Sequence, residues 1–361
     1  MEKHKTDILK KLHVSKVIWP ILIGLIVLVY MIYKQFNWEE FNKIEWNINV
    51  LSGILLSLLL YFIRHIAIAA RLRLLSDNKF SWLKSIELIF IWEFSSAISP
   101  TAFGGSAVAL YFLSQERLKT SKAITLVLYS VVVDSAFFLV TLPILLFGLG
   151  PVIIRPDLTS IWDGDQHVIF FLATYFAMFV YSGFFFYGLF LHPEKIKNTL
   201  CWIAKIKFLK KFRKKLITTG ENVIVASKEM SNKNYIFHLK AFSFTFLGWS
   251  LRFLVVNVLL TAFTSHDLFH WLDQLIIYGR SQNMYVETSF TPTPGSTGFA
   301  EYLFAGFFKD YVPEGLAMII AIIWRIITYY FYLFAGIIIV PNWINRLLRK
   351  KHIISDGLTH E

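Results

Sequence analysis

Six apolar stretches dominate this chain, at 17–33, 48–70, 123–149, 167–191, 236–263 and 315–341. Each is about as long as the ~20 residues a helix needs to cross ~30 Å of hydrocarbon. Backbone polar groups in a bilayer must be paired within their own segment, so these stretches allow helices and little else. With 56% hydrophobic and 17% charged residues over 361 positions, one soluble core cannot hide the apolar surface. The 35 Phe, 16 Tyr and 11 Trp suit lipid-facing and interfacial sites. The expected fold class is therefore an all-α polytopic membrane protein with about six transmembrane helices.

Two further apolar stretches, 85–113 and 274–308, are each interrupted by Pro, Thr, Ser and Gly. Such a break reads as two half-helices meeting at a loop, and loop backbone at membrane depth survives only inside protein or beside a cavity. Both are expected to be re-entrant broken-helix hairpins. The basic residues fit this topology when the N-terminus is cytoplasmic. Lys3, Lys5, Lys10, Lys11 and Lys16 precede the first span. Arg71, Arg73, Lys79 and Lys84 follow the second, Arg117, Lys119 and Lys122 follow the first break, and Arg346, Arg349, Lys350 and Lys351 follow the last span. The opposite loops are neutral or acidic. This places cytoplasmic tails at 1–16 and 346–361 around a membrane domain at 17–345, in a bacterial inner (cytoplasmic) membrane. Residues 1–33 read as a retained signal-anchor, because Tyr30-Met31-Ile32-Tyr33 offers no small-residue cleavage site.

The same plan occurs twice. A span carrying an arginine is followed by a Pro-Thr break and then by a span carrying a charge. The first copy has Arg64, Ser99-Pro100-Thr101-Ala102-Phe103-Gly104-Gly105-Ser106 and Asp134; the second has Arg252, Thr291-Pro292-Thr293-Pro294-Gly295-Ser296-Thr297-Gly298 and Arg325. From Pro to the later charge is 34 positions in one copy and 33 in the other. With the charge bias, this predicts an inverted internal repeat, about 48–149 and 236–341, the arrangement of transporters that bind substrate between broken helices. A basic linker at 192–235 joins the copies, with eleven Lys or Arg against three Glu. Interleaved with Trp202, Ile206, Phe208 and Phe212, it reads as an amphipathic helix on an anionic leaflet, and not as a nucleic-acid surface.

Ionisable side chains at membrane depth are costly and should face protein or water. Arg64, Arg252 and Arg325 are candidate ligands for an anionic phosphate, with Asp134 holding one of them in place or responding to a proton; the alternative is structural ion pairs between helices, Asp134 foremost. Pro100, Thr101, Gly104, Gly105 and Ser106, and Pro292, Thr293, Pro294, Gly295, Ser296 and Gly298, form the breaks, where glycines admit close approach and hydroxyls meet half-helix ends. Glu301 is a candidate substrate residue or a first-turn helix stabiliser. Glu93, two helical turns before Pro100, is a group coupling the first break to a proton or cation, or a buried pairing partner. Two enzyme-like patterns carry less weight. His266 and His270 have the spacing of a helical metal pair without the accompanying glutamate. Asp163-Gly164-Asp165 has the form of a metal-dependent glycosyltransferase acid pair and equally of a turn. Cys201 reads as a packing thiol. No cofactor or metal is expected, and no enzymatic activity is assigned.

The break motifs, Ser99-Pro100-Thr101 with Gly104-Gly105 leading to Tyr111 and Leu113, and Pro292-Thr293-Pro294-Gly295-Ser296 with Gly298 and Ala300-Glu301, resemble the flippase-like lysylphosphatidylglycerol synthase transmembrane-region family over roughly 15–345. Asp134 and Arg325 fall where that family places an acid and an arginine. After Ser106 this chain has Ala107-Val108, departing from the acidic or glutamine residue often found there. The resemblance implies movement of an anionic, aminoacylated or polyprenyl-phosphate-linked lipid between leaflets, without the soluble aminoacyl-transferase domain of larger members. The alternatives are a membrane-embedded phosphatidylglycerol lysyltransferase-related or lipid-linked glycosyltransferase enzyme, and a non-catalytic membrane partner of a lipid-biosynthetic enzyme.

Overall fold

The structure is a computed structural model and describes residues 33, 38–99, 104–116, 118–162, 164–264, 270–291 and 293–357. The described residues are helices and connections, with no strand among them. Five helices are long and apolar enough to cross a membrane: Ile48–Leu75, Thr120–Leu149, Gln166–Leu191, Tyr235–Phe263 and Glu314–Arg349. They match the second to sixth expected spans; the first, 17–33, lies almost wholly outside the described residues.

In chain order the helices are α1 (Trp38–Lys43), α2 (Ile48–Leu75), α3 (Trp82–Ile98), α4 (Gly104–Gln115), α5 (Thr120–Leu149), α6 (Gln166–Phe186) and α7 (Pro193–Ile203). They continue as α8 (Arg213–Ser231), α9 (Tyr235–Phe263), α10 (Trp271–Ser289), α11 (Phe299–Phe307), α12 (Glu314–Arg325) and α13 (Phe331–Gly357). Short polar residues fix where they start. The Asn47 side chain accepts from the Asn49 and Val50 amides at 3.0 and 3.1 Å, Ser81 from Lys84 at 3.3 Å, and Asn234 from Phe237 at 3.0 Å. A π-helical turn, Ile326–Tyr330, directly follows Arg325 and joins α12 to α13. Such turns are frequent at functional sites.

The expected breaks are present, and each divides its segment into helices that pack on each other. α3 and α4 meet where Gly105 faces Ser96, so closely that a Cβ on Gly105 would lie 1.9 Å from the Ser96 hydroxyl. α10 and α11 are joined by a short helical turn, Pro294–Ser296, in which Gly295 takes φ 57°. With 12 and 9 residues, α4 and α11 are too short to cross ~30 Å of hydrocarbon.

α2 and α9, the arginine-bearing spans, run antiparallel in close contact. Gly53 meets Ala262 and Gly248 meets Ile68, with built Cβ positions 2.3 and 2.5 Å away. Small residues bring apolar helices together in this way where lipid tails compete equally for side-chain contact. Large apolar side chains remain on the outer surface, among them Phe62, Phe147, Phe176 and Ile338. Their exposure fits a lipid surround.

Two expectations are corrected. The basic linker is not one helix: α7 and α8 form a helical hairpin, with Gly220 of α8 seated against Lys197 of α7. The second span also runs past residue 70 to Leu75, which takes Arg71 out of the loop expected after it and buries it to 6% exposure.

Candidate functional site

One cavity, of about 220 Å³, lies between the two broken segments and the spans that flank them. It collects Arg64, Ser106, Asp134, Arg252, Thr293, Gly295, Ser296 and Arg325 from the sequence-based candidates. Among the described residues Gly105, Gly298 and Glu301 are not part of its lining, and Pro100, Thr101 and Pro292 lie outside the described residues. Gly105 serves close helix packing, and Gly298, at φ 92°, begins α11.

Three of its four guanidinium groups are neutralised. Arg64 of α2 donates to Glu93 of α3 at 2.5 Å and to the Tyr332 hydroxyl at 2.9 Å. Glu93 is therefore the partner of Arg64. Arg71, two turns further along the same face of α2, binds both carboxylate oxygens of Asp134, and Trp249 Nε1 donates to Asp134 at 2.9 Å. Asp134 thus secures none of the three arginines considered from sequence. Its cation is Arg71, which also donates to Thr245 at 2.9 Å.

Arg325 is held by the second break. It donates to the Gly295 carbonyl at 2.7 Å and to the Thr297 hydroxyl at 3.2 Å, and its Nε lies 3.0 Å from Glu301. Glu301 also accepts from the Gly298 amide at 2.8 Å, so one carboxylate caps α11 and neutralises Arg325. The guanidinium stacks over Tyr329, 4.0 Å from the ring centre. A Cβ on Gly295 would lie 2.0 Å from that same ring, which explains glycine at the turn.

Arg252 of α9 differs. It lines the cavity between the rings of Trp249 and Tyr285, 5.6 and 5.3 Å from their centres. Among the described residues it makes neither an ion pair nor a hydrogen bond. Cation–π contacts contribute about 0.5–2 kcal/mol, too little to replace a counter-ion at membrane depth. Four guanidiniums meet three carboxylates, which leaves one positive charge, on Arg252.

Sequence reasoning missed Arg71, Trp249 and Tyr285. For Arg71 a signal existed: it stands seven residues after Arg64, on one helical face. The enzyme-like patterns find other roles. Asp165 accepts from the His167 amide at 2.7 Å and caps α6, while Asp163 and His266 lie outside the described residues. His270 caps α10, its ring nitrogen facing the Leu272 amide at 3.4 Å.

A family model described as the lysylphosphatidylglycerol synthase TM region matches residues 17–336, across both breaks and the whole cavity. The chain belongs to this family. The family member is also 27% identical over 354 residues to a UPF0104 membrane protein of Archaeoglobus fulgidus, an alignment spanning 94% of this chain and 100% of that protein. No solved structure matches it. Together with the five apolar helices, membership makes it a multi-pass membrane protein.

Proposed function

We propose that this protein moves a lipid with an anionic, phosphate-bearing headgroup between the leaflets of the cytoplasmic membrane. The phosphate binds Arg252, the cation without a counter-ion in the cavity. That observation carries the reading. A guanidinium left between two aromatic faces presents N–H donors to the cavity in the planar pattern that suits a phosphate. One uncompensated charge matches a monoanionic phosphodiester better than a multiply charged ligand. Thr293, also at the cavity wall, adds a hydroxyl for a remaining headgroup oxygen, whereas the Ser296 hydroxyl donates to the Thr288 carbonyl at 2.7 Å.

The wider architecture in this reading has six spans, the two broken segments re-entrant from opposite sides, and an inverted repeat at 48–149 and 236–341. Antiparallel packing of α2 against α9 supports it, because these helices open the two copies. Opposed copies around a central site permit alternating access. The termini are cytoplasmic, and the α7–α8 hairpin lies on the anionic leaflet. Trp202 and Phe208 at its exposed end are 66% and 93% accessible, and both lie among lysines.

Proteoliposomes containing tail-labelled fluorescent phosphatidylglycerol test the function through dithionite quenching of the outer leaflet. The wild-type protein is expected to expose inner-leaflet label, and Arg252→Ala to stop this while eluting as a folded species. Unchanged translocation by Arg252→Ala contradicts the reading.

A further inference from the structure

The central cavity does not end at its charged residues. A second space, of about 120 Å³, shares Ser106, Asp134, Trp249 and Tyr285 with it and continues beneath α6. Beyond those shared residues the wall is mostly apolar, with Phe138 of α5, Met178 of α6 and Phe290 after α10 beside Ser135 and Tyr181. The roof over it is the least buried of the five long apolar helices: 28% of α6's most apolar window is inside the protein, against 39–67% in the others. Its outward side chains, such as Phe179, face the surroundings. A polar compartment with an unpaired cation therefore opens into an apolar side arm, and the arm lies one helix from the lipid.

We infer that this arm holds a hydrocarbon chain of the lipid whose phosphate lies at Arg252, so that the substrate enters and leaves between α5 and α6. The inference rests on the proposed function and gives its substrate a place for each end. A soluble phosphate has no use for the apolar arm. A membrane lipid cannot bring its headgroup to Arg252 unless its tails have an apolar path, because exposing them to a polar cavity costs about 0.8 kcal/mol per CH₂. α6 is suited to yielding. Gly183, just past Tyr181, has no neighbour within 4 Å of a built Cβ, and a π-helical turn at Tyr187–Leu191 ends the helix.

The test places the photoreactive residue p-benzoylphenylalanine at position 181 (Tyr181→p-benzoylphenylalanine) in the full chain. The protein is reconstituted in nanodiscs of dioleoyl-phosphatidylglycerol or dioleoyl-phosphatidylcholine, irradiated and weighed by intact mass spectrometry. The same substitution at Phe179, on the outer face of α6, reports the surrounding bilayer. The expected result is a one-lipid adduct at 181 with about tenfold higher yield in phosphatidylglycerol, because phosphatidylcholine carries the same phosphate but its ammonium offsets the negative charge that Arg252 lacks. Labelling at 179 is expected to be equal in the two lipids. Equal yields at 181, or no lipid adduct there while 179 is labelled, overturn the arm. Should the 181 variant not fold, the photoprobe at Met178 reads the same space with the same criteria. Translocation of tail-labelled phosphatidylglycerol separates the two claims: Arg252-dependent transport without an adduct at 181 refutes only the arm, whereas a headgroup-selective adduct without transport refutes only the transporter.

Discussion

The two broken segments use the same parts to different ends. In the first half, Glu93 on α3 neutralises Arg64 on the preceding span. Glu93 stands seven residues before Pro100; seven residues before Pro292 the second half has Tyr285, an aromatic ring against Arg252. A carboxylate in the first half and a phenol ring in the second decide which arginine is closed and which is open. The later charges show the same divergence. Asp134 is clamped by Arg71 from outside the first break, whereas Arg325 is bound by the second break's own carbonyl, hydroxyl and Glu301. The first half is electrically complete, and the second retains a charge for a ligand.

The largest effect is expected at Glu301. Glu301→Ala would leave Arg325, 5% exposed, without its carboxylate and remove the cap of α11. Breaking a buried pair this way destabilises by about 3–5 kcal/mol, and a large drop in thermal unfolding temperature in detergent checks it. Glu93→Gln sharpens the comparison in the opposite direction, because it opens Arg64 as Arg252 is open. A net gain of about tenfold in phosphatidylglycerol affinity, one charge-assisted contact, is expected by lipid titration. If affinity is unchanged, charge pairing does not distinguish the halves.

Gly295→Ala comes next. It places a methyl group at positive φ and into the Tyr329 ring, so a loss of about 1–3 kcal/mol is expected in the same unfolding measurement. The smallest effect concerns Asp77, between α2 and α3. Its carboxylate is partly desolvated, which alone would raise its pKa, but Lys122 and Lys233, each 2.6 Å away, hold it below the ordinary value. A lowered carboxylate stabilises above its unfolded-state pKa and loses that contribution as pH falls through the folded one. The unfolding-temperature difference between wild type and Asp77→Asn is therefore expected near neutral pH, to begin shrinking below about pH 4, and to vanish only below the lowered folded-state value. A difference that persists in acid argues against the ion pairs.

Much of the fold was legible because bilayer solvation leaves few choices: five apolar runs became five long helices, and both Pro-Thr breaks divided their segments as expected. The boundaries were less legible. Arg71 and Arg73 look like a basic flank after an apolar run, yet α2 continues through them because Asp134, 63 residues away, supplies a counter-charge. Pairing of this kind depends on which helix faces arrive together, and periodicity along one helix does not carry it. For the same reason the sequence marked three arginines alike, while the structure closes two and leaves Arg252 between Trp249 and Tyr285.

The most direct test of the open charge is Tyr285→Glu, which gives the second half the carboxylate that the first half already has. Native mass spectrometry of protein released from mixed phosphatidylglycerol and phosphatidylcholine micelles reads the headgroup retained. Wild-type protein is predicted to retain phosphatidylglycerol preferentially and Tyr285→Glu to lose that preference, with Arg252→Ala behaving alike. Retention of phosphatidylglycerol by both variants at the wild-type level would contradict the account.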